Sequence, residues 1–168
     1  VFLAIISMLL GIVIVDFYGV IVKSLGNFYP TPQLAFFRNF FAIVPILFLL
    51  ILTKEISFIF KDITKKFLIL CFLRGVSFVL MQIFYYVSII NMSFATATTL
   101  TFSSPIFIVI LSILILGERI GIFRWSAIII GFTGVLIIMG PTSEVFNYYS
   151  ILPLLAALFW AISNIVLK

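Results

Sequence analysis

The sequence has few charged residues, no histidine and a single cysteine. Only 9% of its 168 residues are charged, 65% are hydrophobic, and the mean hydropathy is +1.42. A soluble domain has about 25% charged residues, so this chain has too few to cover a surface that faces water. The lack of histidine excludes a His-ligated metal site and an imidazole proton relay. Because Cys71 has no partner, no disulfide forms within the chain. The composition predicts an integral membrane protein.

Two other functional classes lack their sequence signals. No Gly-x-x-x-x-Gly-Lys-[Ser/Thr] motif occurs, so ATP binding is not indicated. The net charge of +5 comes from cations at the ends of apolar runs rather than on one polar face, so nucleic acid is not an expected partner. We expect no metal site and no cofactor.

The long apolar runs predict an all-α, polytopic fold. A membrane helix needs about 20 largely apolar residues, whereas strands of a membrane barrel are about half as long and alternate in polarity. Five complete spans and a sixth at the end of the chain fit the helical criterion. They cover residues 2–22, 33–53, 67–90, 93–116, 122–140 and 150–168.

Lysine and arginine are concentrated in alternate loops, which predicts the orientation. Segment 54–66 carries four lysines, and segment 117–124 carries two arginines. Loop 24–32 has no charge, and loop 141–149 has only one acidic residue. Because cytoplasmic loops retain Lys and Arg, loops 54–66 and 117–121 are predicted to be cytoplasmic, as is the N-terminus. We read span 2–22 as a membrane helix rather than a signal peptide.

The last span is similar to the first in its apolar phase and its terminal lysine, Lys168 against Lys23. A repeat unit of five helices would re-enter the membrane upside down, as in inverted-repeat transporters whose sites lie between the two halves. The alternative is that any two apolar helices ending in lysine look alike.

Residues 117–141, GERIGIFRWSAIIIGFTGVLIIMGP, resemble the end of the first repeat in the EamA-type transporters of the drug/metabolite transporter superfamily. AFFRNFF (35–41), FLRGVSF (72–78) and FATATTLTFSSPIFIVIL (94–111) resemble the same family in order. The likeness is strongest to the bacterial branch with S-adenosylmethionine-type uptake carriers. It implies ten helices in two inverted repeats, with residues 1–141 as the first repeat and residues 142–168 as an outer loop and the first helix of a truncated second repeat.

One position departs from that branch. Its members typically have an aspartate four residues before the lysine that ends the first helix, where this chain has Gly19. Asp16 lies seven residues before Lys23, nearly two turns away and on the same face. Asp16 is therefore the candidate substitute, one turn deeper.

Charged residues inside the spans are the first candidates for a substrate pathway, because each costs about 2.5–3.5 kcal/mol at a helix centre. Lys23 and Arg38 would attract a carboxylate or another anionic group, with Asp16 as the cation partner. The alternative is that Asp16 pairs with Lys23 or Arg38 for structure, and that Lys23 and Arg74 extend to the headgroups.

Polar residues in the third and fourth spans extend this list. Thr99, Ser103 and Ser104 would line the pathway beside a helix kink at Pro105, which lacks a backbone donor. The alternative for this stripe is close helix packing with hydroxyls bonded to their own backbone. In the third span, the candidates that either face substrate or form an interfacial belt are Gln82, Tyr85 and Tyr86.

The fifth span predicts packing rather than transport. Ala127 and Gly131 form a small-xxx-small motif that Gly134 extends, and the helix core has no charge.

These features favour a secondary transporter, not an enzyme, that carries a small polar metabolite across a bacterial inner membrane by alternating access. The resemblance suggests an amino acid, a nucleoside or S-adenosylmethionine-like solute, or a drug-like solute. The expected partners are that solute, the lipid bilayer, and the remaining second repeat or a second copy, with a coupling ion left open. The alternatives are a non-catalytic structural subunit and a membrane-embedded enzyme, which would need a nucleophile with a base or a metal cluster.

Overall fold

The computed structural model describes residues 2–53, 64–118, 121–139 and 148–166. These residues form seven α-helices and one short 3-10 turn, and they contain no strand, which confirms the all-α prediction. The helices are α1 (Phe2–Leu25), α2 (Thr31–Thr53), α3 (Lys65–Asn91), α4 (Phe94–Thr101), α5 (Ser104–Leu116), α6 (Ile122–Met139) and α7 (Ile151–Ile165), and the 3-10 turn is Tyr148–Ser150.

The helices match the predicted membrane spans closely. In the described part of the chain, five segments are long and apolar enough to cross a membrane. The remaining predicted span, 122–140, corresponds to α6, an apolar helix of 18 residues. The chain is therefore a multi-pass membrane protein. Several parts of the predicted loops and ends lie outside the described residues: most of loop 54–66, residues 119 and 120, most of loop 141–149, and the terminal Lys168. The five segments are Ala4–Leu25, Thr31–Thr53, Lys65–Asn91, Phe94–Leu116 and Tyr148–Ile165.

The fourth predicted span consists of two helices joined by a two-residue turn. α4 ends at Thr101, a turn over Phe102 and Ser103 follows, and Pro105 lies in the first turn of α5. Proline is tolerated at that position because the first amides of a helix have no intrahelical acceptor. The two helices together still form one apolar span, Phe94–Leu116, and the predicted kink at Pro105 stays a prediction.

The most extensive helix contacts are those of α7 with α3 and α5. α7 makes these contacts through small residues, since Ala156, Ala157 and Ala161 are fully buried. A second buried cluster joins α1, α2 and α3 near their adjoining ends and includes Val22, Ala35 and Tyr86. Elsewhere α1 and α2 expose most of their large apolar side chains, as a lipid-facing surface does.

Gly19 allows α1 to pass close to the start of α4. A Cβ atom at this position would lie 2.6 Å from Cε2 of Phe94, well inside the contact distance. The Phe94 ring thus occupies the place where any side chain at position 19 would begin. A side chain at position 19 would therefore require the Phe94 ring to move.

We expect Gly19→Leu to destabilise the protein, because overfilling a packed contact costs about 1–3 kcal/mol. The matched control is Gly11→Leu on the same helix, since no neighbouring atom lies within 4 Å of a Cβ at Gly11. We would heat each variant in detergent and use size-exclusion chromatography to measure the folded fraction at each temperature. The unfolding midpoint of Gly19→Leu should be several degrees lower than that of Gly11→Leu. Equal midpoints would contradict the close approach of α1 and α4.

Candidate functional site

A chain of side-chain hydrogen bonds joins α1, α2 and α3. The Asn39 Nδ2 group donates to Gln82 Oε1 at 3.0 Å, and the Gln82 Nε2 group donates to the Tyr86 hydroxyl at 2.7 Å. The Tyr86 hydroxyl is in turn hydrogen-bonded to the Tyr18 hydroxyl. Gln82 and Tyr86 are four residues apart and share one face of α3. Gln82 and Tyr86 are 1% and 2% exposed, so this series of hydrogen bonds crosses the interior of the helix bundle. We call these four residues the polar chain.

The direction of the last hydrogen bond follows from burial. Tyr86 accepts from Gln82, so its own hydroxyl hydrogen needs an acceptor, and among the described residues Tyr18 is the one that its hydroxyl reaches. A buried hydroxyl without an acceptor is costly. Tyr86 therefore donates to Tyr18, and the hydrogen of the half-buried Tyr18 hydroxyl is left available at the end of the polar chain.

Arg38 lies beside the polar chain between two aromatic rings. Its Cζ atom is 5.5 Å from the centroid of Tyr18 and 5.7 Å from that of Phe78, within the range of a cation–π contact. The side chain is exposed. Neither of the two acidic residues that the structure describes, Asp16 and Glu118, forms an ion pair with it. Within the described part of the chain, two aromatic rings rather than an acidic side chain therefore orient the guanidinium.

Lys23 has a structural hydrogen bond instead of an acidic partner. Its Nζ atom donates to the Met92 carbonyl at 2.9 Å, at the junction between α3 and α4. Ser93 follows directly and caps α4 by accepting from the Thr96 amide at 3.1 Å. Lys23 thereby fixes the end of α1 to this junction.

Asp16 pairs with neither Lys23 nor Arg38 in the described chain, which differs from the structural alternative that the sequence allowed. Its carboxylate is exposed and lies within electrostatic range of the Tyr85 hydroxyl. The ring of Tyr85 is half-buried and contacts that of Tyr86, with centroids 6.4 Å apart. Tyr85 therefore adjoins the polar chain through Tyr86, and Asp16 lies two residues before Tyr18 on α1.

The hydroxyl groups of α4 and α5 form no hydrogen bond with the polar chain within the described ranges. Ser103 donates to the Leu100 carbonyl and Thr101 to the Ala97 carbonyl, each at 2.8 Å. Such bonds to the preceding turn fit the packing alternative. Thr99 and Ser104 are partly buried. These candidates stay predictions.

Arg74 is exposed on α3 and lies eight residues before Gln82, about 12 Å away along the helix axis. The predicted packing residues of α6 adjoin an open groove of about 350 Å³ that Ala127 and Gly131 share with Pro105. No neighbouring atom lies within 4 Å of a Cβ at Gly131 or Gly134, so their packing role also stays a prediction.

Aromatic contacts connect α3 to α7 next to Arg38. Phe78, which contacts Arg38, also lies against Trp160, with ring centroids 6.0 Å apart. One and a half turns along α3, Phe84 stacks on Phe159 with centroids 5.6 Å apart. The last described helix therefore adjoins the Arg38 environment through Phe78.

Two members of the polar chain, Tyr18 and Asn39, were not among the candidates from sequence. Tyr18 lies two residues after Asp16, and Asn39 directly follows Arg38 in AFFRNFF. An amide or phenol inside an apolar span is itself a signal, because hydrocarbon offers no water as a partner. That signal was present, but the sequence does not show which residue on another helix would satisfy it.

Comparisons with known proteins identify relatives of the chain. The model of the EamA-like transporter family matches residues 2–140. An S-adenosylmethionine uptake transporter of Rickettsia bellii is 32% identical over 164 residues, which cover 95% of this chain and 53% of that protein. A riboflavin transporter of Rhizobium johnstonii is 43% identical over 72 residues, covering 43% of this chain and 24% of that protein.

A pseudopaline exporter of Pseudomonas aeruginosa is 28% identical over 149 residues, covering 88% of this chain and 50% of that protein. Some relatives match most of this chain, and the chain spans about half of the length of those relatives. No solved structure matches it. The family resemblance noted from residues 117–141 is confirmed: this chain belongs to the EamA-like transporter family.

Proposed function

We propose that the protein is a secondary transporter that moves a small polar metabolite across a membrane by alternating access. The similar proteins are named as transporters, and the family is one of transporters. The observation that carries the proposal is the polar chain, which places hydrogen-bonding groups from three helices together inside the membrane, beside the exposed charges of Arg38 and Asp16.

The depth of the polar chain supports this role. Gln82 lies nine residues before the end of α3, Asn39 eight residues after the start of α2, and Tyr18 seven residues before the end of α1. At 1.5 Å per residue, these positions are about 10–14 Å from the adjoining helix ends. The hydrocarbon core is about 30 Å thick, so the polar chain would lie at mid-to-outer depth inside it, toward the midplane region where substrates of inverted-repeat transporters bind.

The chain would supply one wall of the pathway. Residues 1–141 would form the first repeat, and residues 142–168 an outer loop and the first helix of the second repeat. The remaining second repeat, or a second copy, would form the opposing wall. The distribution of Lys and Arg supports a bacterial inner membrane orientation with a cytoplasmic N-terminus and cytoplasmic loops 54–66 and 117–121.

The solute would be an amino acid, a nucleoside or S-adenosylmethionine-like compound, or a drug-like compound. One similar protein is named for uptake and another for export, so the direction is left open. Asp16, which is exposed and pairs with neither Lys23 nor Arg38, would bind a coupling cation or a cationic group of the solute. We propose no catalytic activity.

We expect Tyr18→Phe to impair transport without unfolding the protein, because it keeps the ring against Tyr86 and Arg38 and removes only the terminal hydroxyl. Loss of one such hydrogen bond corresponds to a decrease of about 3- to 10-fold. Initial rates of uptake of labelled S-adenosylmethionine and riboflavin into proteoliposomes would measure the effect.

The matched control is Tyr148→Phe, since Tyr148 is 84% exposed outside α7 and should leave the rate unchanged. Unaltered rates in Tyr18→Phe would contradict the site. With the opposing wall present, as the second repeat or a second copy, wild-type protein that is folded but moves no metabolite of any tested class would contradict the transporter proposal.

The orientation predicts opposite labelling of two loops. In a Cys71→Ser background, which has no other cysteine, we expect Asn27→Cys to react with a membrane-impermeant maleimide in intact cells. Ser57→Cys, in the lysine-rich loop, should react only after permeabilisation. The reverse labelling pattern would show that the orientation in the membrane is opposite to the one proposed.

A further inference from the structure

We infer that Arg38 and the Tyr18 hydroxyl together form the receptor for an anionic oxygen group, a carboxylate or a phosphate, on the transported solute. This inference rests on the proposed function and specifies the class of solute: metabolites that carry such a group. The two side chains come from different helices, α2 and α1, and adjoin each other through the contact of the guanidinium with the Tyr18 ring.

Both groups have donors to offer. A guanidinium carries five N–H donors and accepts none, and the two aromatic faces beside Arg38 engage its charge but not its hydrogens. The Tyr18 hydroxyl receives its hydrogen bond from Tyr86, so its own hydrogen is directed elsewhere. An anion next to Tyr18 would accept from a cation and from a neutral hydroxyl at once, which is the arrangement that strengthens charge-assisted hydrogen bonds.

The receptor is built rather than incidental. Arg38 is held between Tyr18 and Phe78, which restricts the plane of the guanidinium. Tyr18 is fixed through Tyr86 to the buried Gln82. A receptor whose donors are already oriented loses less conformational freedom when it binds.

The other cations of the described spans lack these features. The ammonium of Lys23 is bound to the Met92 carbonyl. Arg74 lies about 12 Å from Gln82 along α3. Arg38 is thus the cation that adjoins the polar chain.

A matched pair of probes tests the inference: S-adenosylmethionine and its decarboxylated analogue, which differ in one carboxylate. We expect wild-type protein in proteoliposomes to prefer the acid. Arg38→Gln should weaken uptake of the acid by about 10- to 100-fold, the loss of a charge-assisted hydrogen bond, while leaving the decarboxylated probe nearly unchanged. Tyr18→Phe should act in the same direction with a smaller effect, and it retains the aromatic packing if Arg38→Gln proves unstable.

The control Arg124→Gln removes an exposed cation at the start of α6 and should change neither probe. The same assay, carried out in vesicles with and without anionic lipid, distinguishes an anion on the solute from an anion on a lipid headgroup. Equal losses for both probes that depend on anionic lipid would show that Arg38 binds a lipid phosphate, and would overturn the inference while transport itself stands. A different result would be that the protein binds the acid in detergent, loses this binding in Arg38→Gln, and yet shows no flux in proteoliposomes. That result would support the receptor and overturn the transporter proposal.

Discussion

The fold around the candidate site depends on one constraint: hydrocarbon supplies no water to satisfy a polar group. A buried amide such as Gln82 must therefore find both a donor and an acceptor within the protein. Gln82 accepts from Asn39 on α2 and donates to Tyr86 on its own helix. The Tyr86 hydroxyl is in turn hydrogen-bonded to Tyr18 on α1. A single buried side chain is thus linked, directly or through Tyr86, to both of the neighbouring helices.

The close approach at Gly19 is the steric counterpart of that polar requirement. With no Cβ at position 19, α1 lies against Phe94, and Lys23, one turn further on, reaches the Met92 carbonyl. An acid at position 19 would compete with the Phe94 ring for the same space. Asp16, one turn deeper, lies instead on an exposed part of α1 within electrostatic range of Tyr85. The Asp16 carboxylate thereby belongs to a residue three positions before the close packing at Gly19.

The spans were predictable because they depend on hydropathy summed over about 20 residues, a property local to the sequence. The interruption at Phe102 and Ser103 was not, since a proline such as Pro105 can either kink a helix or begin one. Gln82 and Tyr86 were recognisable as polar residues in an apolar span, and so was Arg38. Their partners Tyr18 and Asn39 were missed, because pairing between helices depends on rotation and register that no local pattern of one sequence specifies. The family itself was recognisable from residues 117–141, where glycines and one proline occur in a fixed order.

The way in which the three helices are joined bears on alternating access. α1 is linked to α3 by the bond between Tyr18 and Tyr86, and α2 by the bond between Asn39 and Gln82. Each is a contact between side chains, and breaking one costs about 0.5–1.5 kcal/mol net, less than the several kcal/mol with which a metabolite at micromolar affinity binds. The Tyr18 hydroxyl accepts from Tyr86 and, in the receptor inferred above, donates its own hydrogen to the solute, so the two hydrogen bonds form together. In the transporter that we propose, the polar chain would therefore couple the bound solute to the position of α1 relative to α3, because one hydroxyl bonds both the solute and Tyr86.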